Sequence, residues 1–313
     1  MAYKILMQIY DLAIAHDWEY DADFIQLIVN AARKGRLSCY TVDQQNLQQT
    51  LHDLQAGELG FQFLFDRASD TSPEFRSIQD LLKKENIEII DPVEKLRWAS
   101  DKATMHLEFI ANGLQTPFTI ILDPFDESRE VRLSVQELHR LGRPFVVKPA
   151  NTTGGGIGVV EGAESLQDVL EARKEFQSDK YLLQEKIVPL QMDGKRFWFR
   201  GFFSCGLVQC CWWDDQSHLY YELQKQEMKR YNLSPLFKIV EKIAAISHLS
   251  FFSTEISQSK DGQFIVIDYV NESCDMRPKS RYADGVLDDV VINVANKIVT
   301  YIKKKLRPRK FFF

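Results

Sequence analysis

Lys148 stands at the end of an apolar run and just before a loop of threonine and glycine, in the stretch PFVVKPANTTGGGIGVV at 144–160. An amine in that place can pair with phosphate, and glycines let main-chain N–H groups approach closely. The spelling fits neither of two common phosphate loops. A Walker A loop needs its lysine after the last glycine and before Ser or Thr, whereas Lys148 precedes Gly154 and Val159 follows Gly158. A dinucleotide fingerprint needs a third glycine where Val159 stands, and a helix where Val159 and Val160 continue as strand. What is left is strand, glycine loop, strand: a flap able to close over a nucleotide, or a mobile surface hairpin. A second set of residues lies in FFSTEISQSKDGQFIVIDYVNESCDMRPKS at 251–280. Glu255 and Asp268, near the ends of two hairpin strands, and Asn271 just beyond bring three oxygen ligands to one end of a sheet. Mg²⁺ takes such donors alongside water and phosphate. Arg277, a little further on, has a planar fork suited to the two oxygens of a carboxylate.

The first stretch of chain alternates strand and helix, with strands expected at 4–10, 38–42, 61–65 and 87–90. A helix at 22–34 puts Phe24, Ile28 and Ala31 on one face, and another begins near Ser72-Pro73, so this part reads as a small α/β domain. Pro92 starts one long helix, VEKLRWASDKATMHLEFIANG, closed by Gly113 and followed by a strand at 118–122. A helix at 163–176 and a strand in YLLQEKIVP come next, and the aromatic run FWFRGFFSCGLVQCCWW suits antiparallel strands. A helix from Ser234-Pro235 to 247 precedes strands at 251–256 and 264–269, and Val290, Val294, Ile298 and Ile302 mark a last helix. The fold class is α/β plus α+β, with domains expected at 1–95, 96–190 and 191–313.

The chain's 313 residues leave room for two domains or more, and a net charge of -5 argues against general nucleic-acid affinity. Five cysteines without C-x-x-C spacing write neither a disulfide framework nor a zinc site, which suits a reducing cytoplasm. No segment reaches the ~18 apolar residues of a membrane span. The tail KKKLRPRKFFF reads as a frayed, solvated terminus.

In this order the parts resemble the ATP-grasp superfamily, over most of the chain. Asp101-Lys102 with Thr116-Pro117 is similar to the first lysine segment of that family, and VVKPANTTGGGIGV to its second lysine and flap. LLQEKI is similar to the adenine hinge, and STEI with IDYVN to the metal strands. No one motif is specific; their order and spacing are. The resemblance implies an ATP-grasp fold, a pre-grasp α/β domain followed by two α+β subdomains that clamp ATP. Lys102 and Lys148 would hold its phosphates, flap N–H groups of Thr153, Gly154, Gly155 and Gly156 would cover them, and the main chain of Gln184, Glu185, Lys186 and Ile187 would meet adenine. Asp193 lies in the region of the ribose acid and Arg196 in that of the substrate arginine, although the usual Asp-x-Arg spacing is absent. Glu255, Asp268 and Asn271 would hold Mg²⁺. The family's last motif is Glu-x-Asn, whereas this chain has Asp268-Tyr-Val-Asn271, so Asn271 reaches the same ion only past the strand end or at a bulge.

The activity so implied is an ADP-forming ligase that joins a small-molecule or peptide carboxylate to an amine or thiol through an acyl phosphate. A small-molecule kinase is the second reading; a polyphosphate acceptor would need a dense basic pocket, and only Arg196, Arg200, Arg277 and Lys279 lie near. A nucleotide-binding module without catalysis is the third. Neither nucleic acid nor a membrane is an expected partner, and a homo-oligomer stays open. His106 and His248 read as structural, and the adjacent Trp212 and Trp213 must face opposite sides of a strand.

Overall fold

The computed structural model describes residues 7–151 and 156–306. Thr153, Gly154 and Gly155 of the expected flap, the first residues of the expected strand at 4–10, and the tail from 307 on lie outside the described residues, while Lys303, Lys304 and Lys305 of the tail continue the last helix.

A four-stranded parallel sheet opens the fold, in the order Cys39–Val42, Leu12–Ala15, Phe63–Asp66, Glu88–Ile90. Its two central strands read LAIA and FLFD and are buried throughout, because helices covering both faces of a parallel sheet remove any need for polar alternation. The sequence reading has no strand at 12–15 and one unbroken strand at 61–65. The chain instead forms Gln8–Tyr10 and Leu59–Phe61 as a separate parallel pair and breaks at Asp11 and Gln62 before re-entering the main sheet. The two breaks meet: Gln62 Nε2 donates to Asp11 Oδ1 at 3.1 Å, and Ser38 N donates to Asp11 Oδ2 at 2.8 Å.

The expected long helix after Pro92 is two, Val93–Ser100 and Lys102–Ala111. Asp101 leaves helical backbone, with ψ 99°, and its side chain accepts from Thr104 N as the cap of the second helix. Such a cap contributes ~1 kcal/mol. It makes Lys102 the first residue of a new helix, and Lys102 N donates to Ala150 O at 3.1 Å. The break therefore seats one lysine against the segment that carries the other.

An antiparallel sheet follows, ordered Thr119–Leu122, Tyr181–Glu185, Phe145–Pro149, Val160–Ala163. The helices Val135–Leu141 and Leu166–Arg173 accompany it, each opened by a serine capping box. Phe145, Val147, Tyr181, Leu183 and Val169 form its core. The last sheet is antiparallel, ordered Leu219–Tyr221, Leu207–Asp214, Trp198–Ser204, Phe251–Gln258, Phe264–Asn271. The helix Pro235–Ser247 lies directly on it at Gly201, where a Cβ would come within 2.5 Å of Val240 Cγ2. Trp212 joins the core with Phe197 and Phe199, while Trp213 on the other face stacks with His218 and lies beneath Arg200. The terminal helix Asp288–Lys305 packs Val291, Val294 and Ile298 into one core with Phe24 and Ile28 of the helix Ala22–Lys34, so the two ends of the described chain are joined.

Candidate nucleotide and metal site

Register decides which side chains meet. Arg200, Glu255 and Asp268 stand side by side on three neighbouring strands, because Arg200 pairs with Glu255 and Glu255 with Asp268. Phe202, Ser253 and Asn271 form the adjacent row on the same face. From Ser253 to Glu255 the chain advances two residues while its partner strand advances three, a bulge that absorbs the odd spacing of Asp268-Tyr-Val-Asn271. Asn271 is thus aligned beside Asp268. A second register shift, between Glu255 and Ile256, follows on the other side.

Both oxygens of Glu255 are engaged. Arg200 Nη1 donates to Oε1, and Trp198 Nε1 donates to Oε2 at 3.0 Å. Arg200 also donates to Ser253 Oγ from Nε at 3.2 Å and Nη2 at 3.0 Å. Burial pushes the Glu255 carboxyl up, Arg200 opposes this, and the neighbouring Asp268 charge adds to it. Asp268 goes the other way: burial raises it, but Lys102, Lys148 and Arg200 together hold it below the ordinary carboxylate range.

The two lysines come from the other sheet's side. Lys102 and Lys148 are both buried. Lys148 Nζ donates to Ile267 O at 3.3 Å and lies 5.5 Å from the centre of the Tyr269 ring. Burial brings its amine down to about 8, partly offset by Asp268, with Lys102 pushing down and Glu255 up. The lysine retains an ammonium because the acid row faces it.

Behind this pair runs a chain of buried hydrogen bonds. Gln184 Nε2 donates to Thr119 Oγ1 at 2.9 Å and to Tyr269 Oη at 2.8 Å, and Tyr269 Oη meets His106 Nδ1 at 2.6 Å. Burial, with Lys148 nearby, lowers His106 to about 4, so the ring is neutral and structural. The Gln184 side chain is a strut between the sheets. The residues after it open onto a cavity of ≈ 490 Å³ lined by Thr116, Glu185, Lys186, Ile187, Val188 and Ile265, among others. That size suits a small-molecule site. Ile265 belongs to the row Trp198, Ser257, Ile265, on the same face as the acids. Lys186 Nζ reaches across to Glu161 O, at 3.3 Å, on the strand that follows the glycine loop. Gly156 at the loop's described end has φ +77°, open to glycine without strain.

Three expected residues are committed elsewhere. Asp193 sits in a hairpin turn and accepts from Tyr231 Oη at 2.8 Å and Arg230 Nη2 at 2.7 Å. Arg196 forks onto Asp215 at 2.8 and 2.6 Å. Arg277 is bound by Asp275 and Asp284 and lies 5.8 and 5.0 Å from the ring centres of Tyr20 and Tyr282. Arg200, one of the four basic residues the sequence places nearby, is the guanidinium at the acid row. The signal was available: an arginine amid FWFRGFFS must find a partner when its strand is buried.

As a metal site the donor chemistry is hard oxygen: two carboxylates and an amide. Among the described residues no three His, Cys, Asp or Glu gather around a common point. Hard-oxygen donors of this kind suit an ion such as Mg²⁺, which needs one or two carboxylates and takes the rest from water and phosphate.

No protein-family model and no curated protein matches the sequence. Solved structures do. A RimK-domain ATP-grasp protein from Sphaerobacter thermophilus superposes with TM-score 0.62 at 17% identity, over 93% of this chain and 98% of its own. D-alanine–D-alanine ligase from Bacillus anthracis, complexed with ATP, gives 0.64 at 16% identity over 95% and 99%. VanG D-Ala:D-Ser ligase from Enterococcus faecalis gives 0.61 at 11% identity over 94% and 100%. With whole-length agreement to each of these structures, the chain has the ATP-grasp fold.

Proposed function

We propose that this protein is an ATP-dependent ligase that activates a carboxylate and joins it to an amine or thiol. The observation that carries the reading is the meeting of two buried lysines with the row Arg200, Glu255, Asp268, on the same sheet face as the hinge cavity. Adenine would occupy that cavity against the main chain of 184–187. The phosphates would lie toward Lys102 and Lys148, whose charge they balance. Glu255, Asp268 and Asn271 would hold Mg²⁺, which when bound supplies the positive charge that phosphoryl transfer needs.

Catalysis on these residues is positioning and electrostatics, with no protein nucleophile. Arg200 and Trp198 fix the Glu255 carboxylate, so its orientation is set before ligand arrives. A substrate carboxylate oxygen attacks the γ-phosphorus and ADP leaves. The amine or thiol then attacks the acyl carbon, the C–O bond to phosphate breaks, phosphate departs, and the nucleophile's proton passes to solvent. Two of the structural neighbours are named as ligases of D-alanine, which supports a carboxylate as phosphoryl acceptor. A kinase acting on a polyphosphate fits less well, because the crevice beside Asn271 is lined by Asp66, Asp70, Asp91 and Glu272 against Arg67 alone.

The test is a thermal-shift titration with Mg-ATP, followed by ADP release with pooled amino acids, peptides and thiols. A melting rise with ATP that requires Mg²⁺, and ADP release that requires both a carboxylate and a nucleophile, are expected. No shift at millimolar Mg-ATP overturns the reading.

A further inference from the structure

Three segments of the proposed nucleotide site meet at one short turn, 176–180, just ahead of the strand Tyr181–Glu185. Ala150 N, past the end of the strand that carries Lys148, donates to Lys180 O at 2.8 Å. Ala150 O in turn accepts from Lys102 N at 3.1 Å, at the start of the other lysine's helix, and Lys180 Nζ lies 3.7 Å from Oδ2 of Asp101, the cap of that helix. The glycine loop meets the same turn at both of its described ends. On the way in, Asn151 N donates to Asp179 Oδ2 and Asn151 Nδ2 to Asp179 Oδ1, each at 2.8 Å. On the way out, Gly158, with φ +74°, comes so near Phe176 that a Cβ there would stand 2.6 Å from Cε2 of the ring.

Asp179 brings to this turn more chemistry than a turn needs. The backbone already closes it, Asp179 N donating to Phe176 O at 3.0 Å. The carboxylate reaches instead to a residue 28 positions away, and only 7% of Asp179 is exposed. A carboxylate is costly to bury, and here it accepts two donations, one from main chain and one from side chain, which fix both the position and the rotation of Asn151. With Asn151 and Ala150 fixed, the path back to Lys148 is fixed too, because only Pro149, with its locked φ, lies between. The Lys102 end is set through the Ala150 carbonyl. A charge held even an ångström from its productive place loses much of its effect on a bound group.

We propose that Asp179 is a positioning residue for the nucleotide phosphates: through Asn151 and Ala150 it sets the spacing of Lys102 and Lys148 and the point where the chain enters the glycine loop. It acts through these neighbours and touches no ligand itself. The inference rests on the ligase reading for what the lysines hold, and adds to it a residue outside the lysines, the acid row and the hinge. A purely structural Asp179 leads to a different result. Its loss would lower the folded fraction and leave the nucleotide affinity of the folded molecules untouched.

The experiment is calorimetric titration of the full chain with Mg-ATP, in which the dissociation constant reports affinity and the fitted stoichiometry reports the folded fraction. Asp179→Asn sets two amide NH₂ groups against each other across the contact, and Mg-ATP is expected to bind about tenfold weaker, one charge-assisted contact being lost. Asn151→Asp sets two carboxylates face to face and is expected to weaken binding at least as much. Exchanging the two residues, Asp179→Asn with Asn151→Asp, puts a donor opposite an acceptor again at unchanged net charge, and affinity is expected to return to within about threefold of the unaltered chain. Asn151→Ala, at an exposed position, removes only the side-chain donation and is expected to cost about threefold, so it carries the test if Asp179→Asn does not fold. Unchanged dissociation constants in the folded variants, with stoichiometry alone reduced, would overturn the inference, and so would an exchange variant no better than its singles. If the unaltered chain takes up no Mg-ATP, the ligase reading falls and this inference with it. If it binds Mg-ATP and the variants bind equally well, the ligase reading stands and only the role of Asp179 is lost.

Discussion

Replacing Arg200 with methionine removes the one guanidinium of the acid row and leaves the rest in place. Arg200 is buried, and its loss strips the ion pair from Glu255 Oε1 and two donations from Ser253 Oγ. Glu255 would then stand beside Asp268 with Trp198 and the more distant Lys148 as its only compensation. Breaking a buried pair by removing one partner costs about 3–5 kcal/mol, whereas replacing both partners by apolar groups is close to neutral. Arg200→Met is therefore expected to lose about 3–5 kcal/mol, and Arg200→Met with Glu255→Leu about 1 kcal/mol or less. The single variant's loss must also depend on pH. Removing the guanidinium raises a carboxyl that burial already raises, so the penalty is greatest near neutrality and shrinks as pH falls toward the unfolded value of about 4.3. Urea unfolding of both variants at several pH values, with and without millimolar Mg²⁺, measures all of this. Mg²⁺ should restore part of the single variant's stability, since it returns positive charge to the row. A loss under about 1 kcal/mol, or a double variant as unstable as the sum of its singles, would refute a buried pair at the centre of the site.

Lys148→Ala should keep the fold and weaken Mg-ATP binding by about tenfold or more, read by thermal shift, as a charge-assisted phosphate contact disappears. In the unaltered chain the Lys148 amine titrates at about 8, so nucleotide affinity should be full below that pH and decline above it as the ammonium is lost; calorimetric affinities on either side of pH 8 check this. Asp268→Asn should cut ADP formation far more than Asn271→Ala, because a carboxylate gives the ion a full charge and an amide only a dipole; full Mg-dependent turnover in Asp268→Asn sinks the metal site. His106 is held near 4 against an unfolded value of about 6.5, so its contribution to stability is intact above pH ~6.5 and is lost as pH falls toward 4, by up to ~3 kcal/mol. His106→Met should flatten that part of the stability profile in urea titrations.

The lysine strand and the acid hairpin were legible because each is written in adjacent residues. What was illegible depended on partners far away in sequence. Leu12–Ala15 is four residues long and apolar on both faces, so no alternation announced it as a central strand. The break at Asp11 looks like a continuation until Gln62 is seen donating to it from another strand. The second lysine-bearing helix begins at Asp101 because that side chain caps Thr104, a signal present in the sequence but outweighed by apolar spacing that ran smoothly through it. Arg196 and Arg200 are four residues apart and chemically alike; Asp215 claims one and Glu255 the other. Only the strand register settles which arginine stands at the acids.

The segment Asp268-Tyr-Val-Asn271 does more than align an amide. Tyr269 takes the face opposite Asp268, as strand alternation requires, and its hydroxyl meets Gln184 and His106 while Asp268 stays on the acid row. One short segment thus touches both halves of the site. Gln184 belongs to the strand that leads into the hinge cavity, and it is joined through Tyr269 to the residue next to Asp268. If 184–187 meet adenine as proposed, a nucleotide that shifts them must shift Gln184, which strains its buried hydrogen bond to Tyr269, at a cost of about 1–3 kcal/mol if the bond is left unmade. The strand Tyr181–Glu185 and the acid row are therefore tied together through a buried tyrosine, and the bulge lets Asn271 return to the face of Asp268 after it.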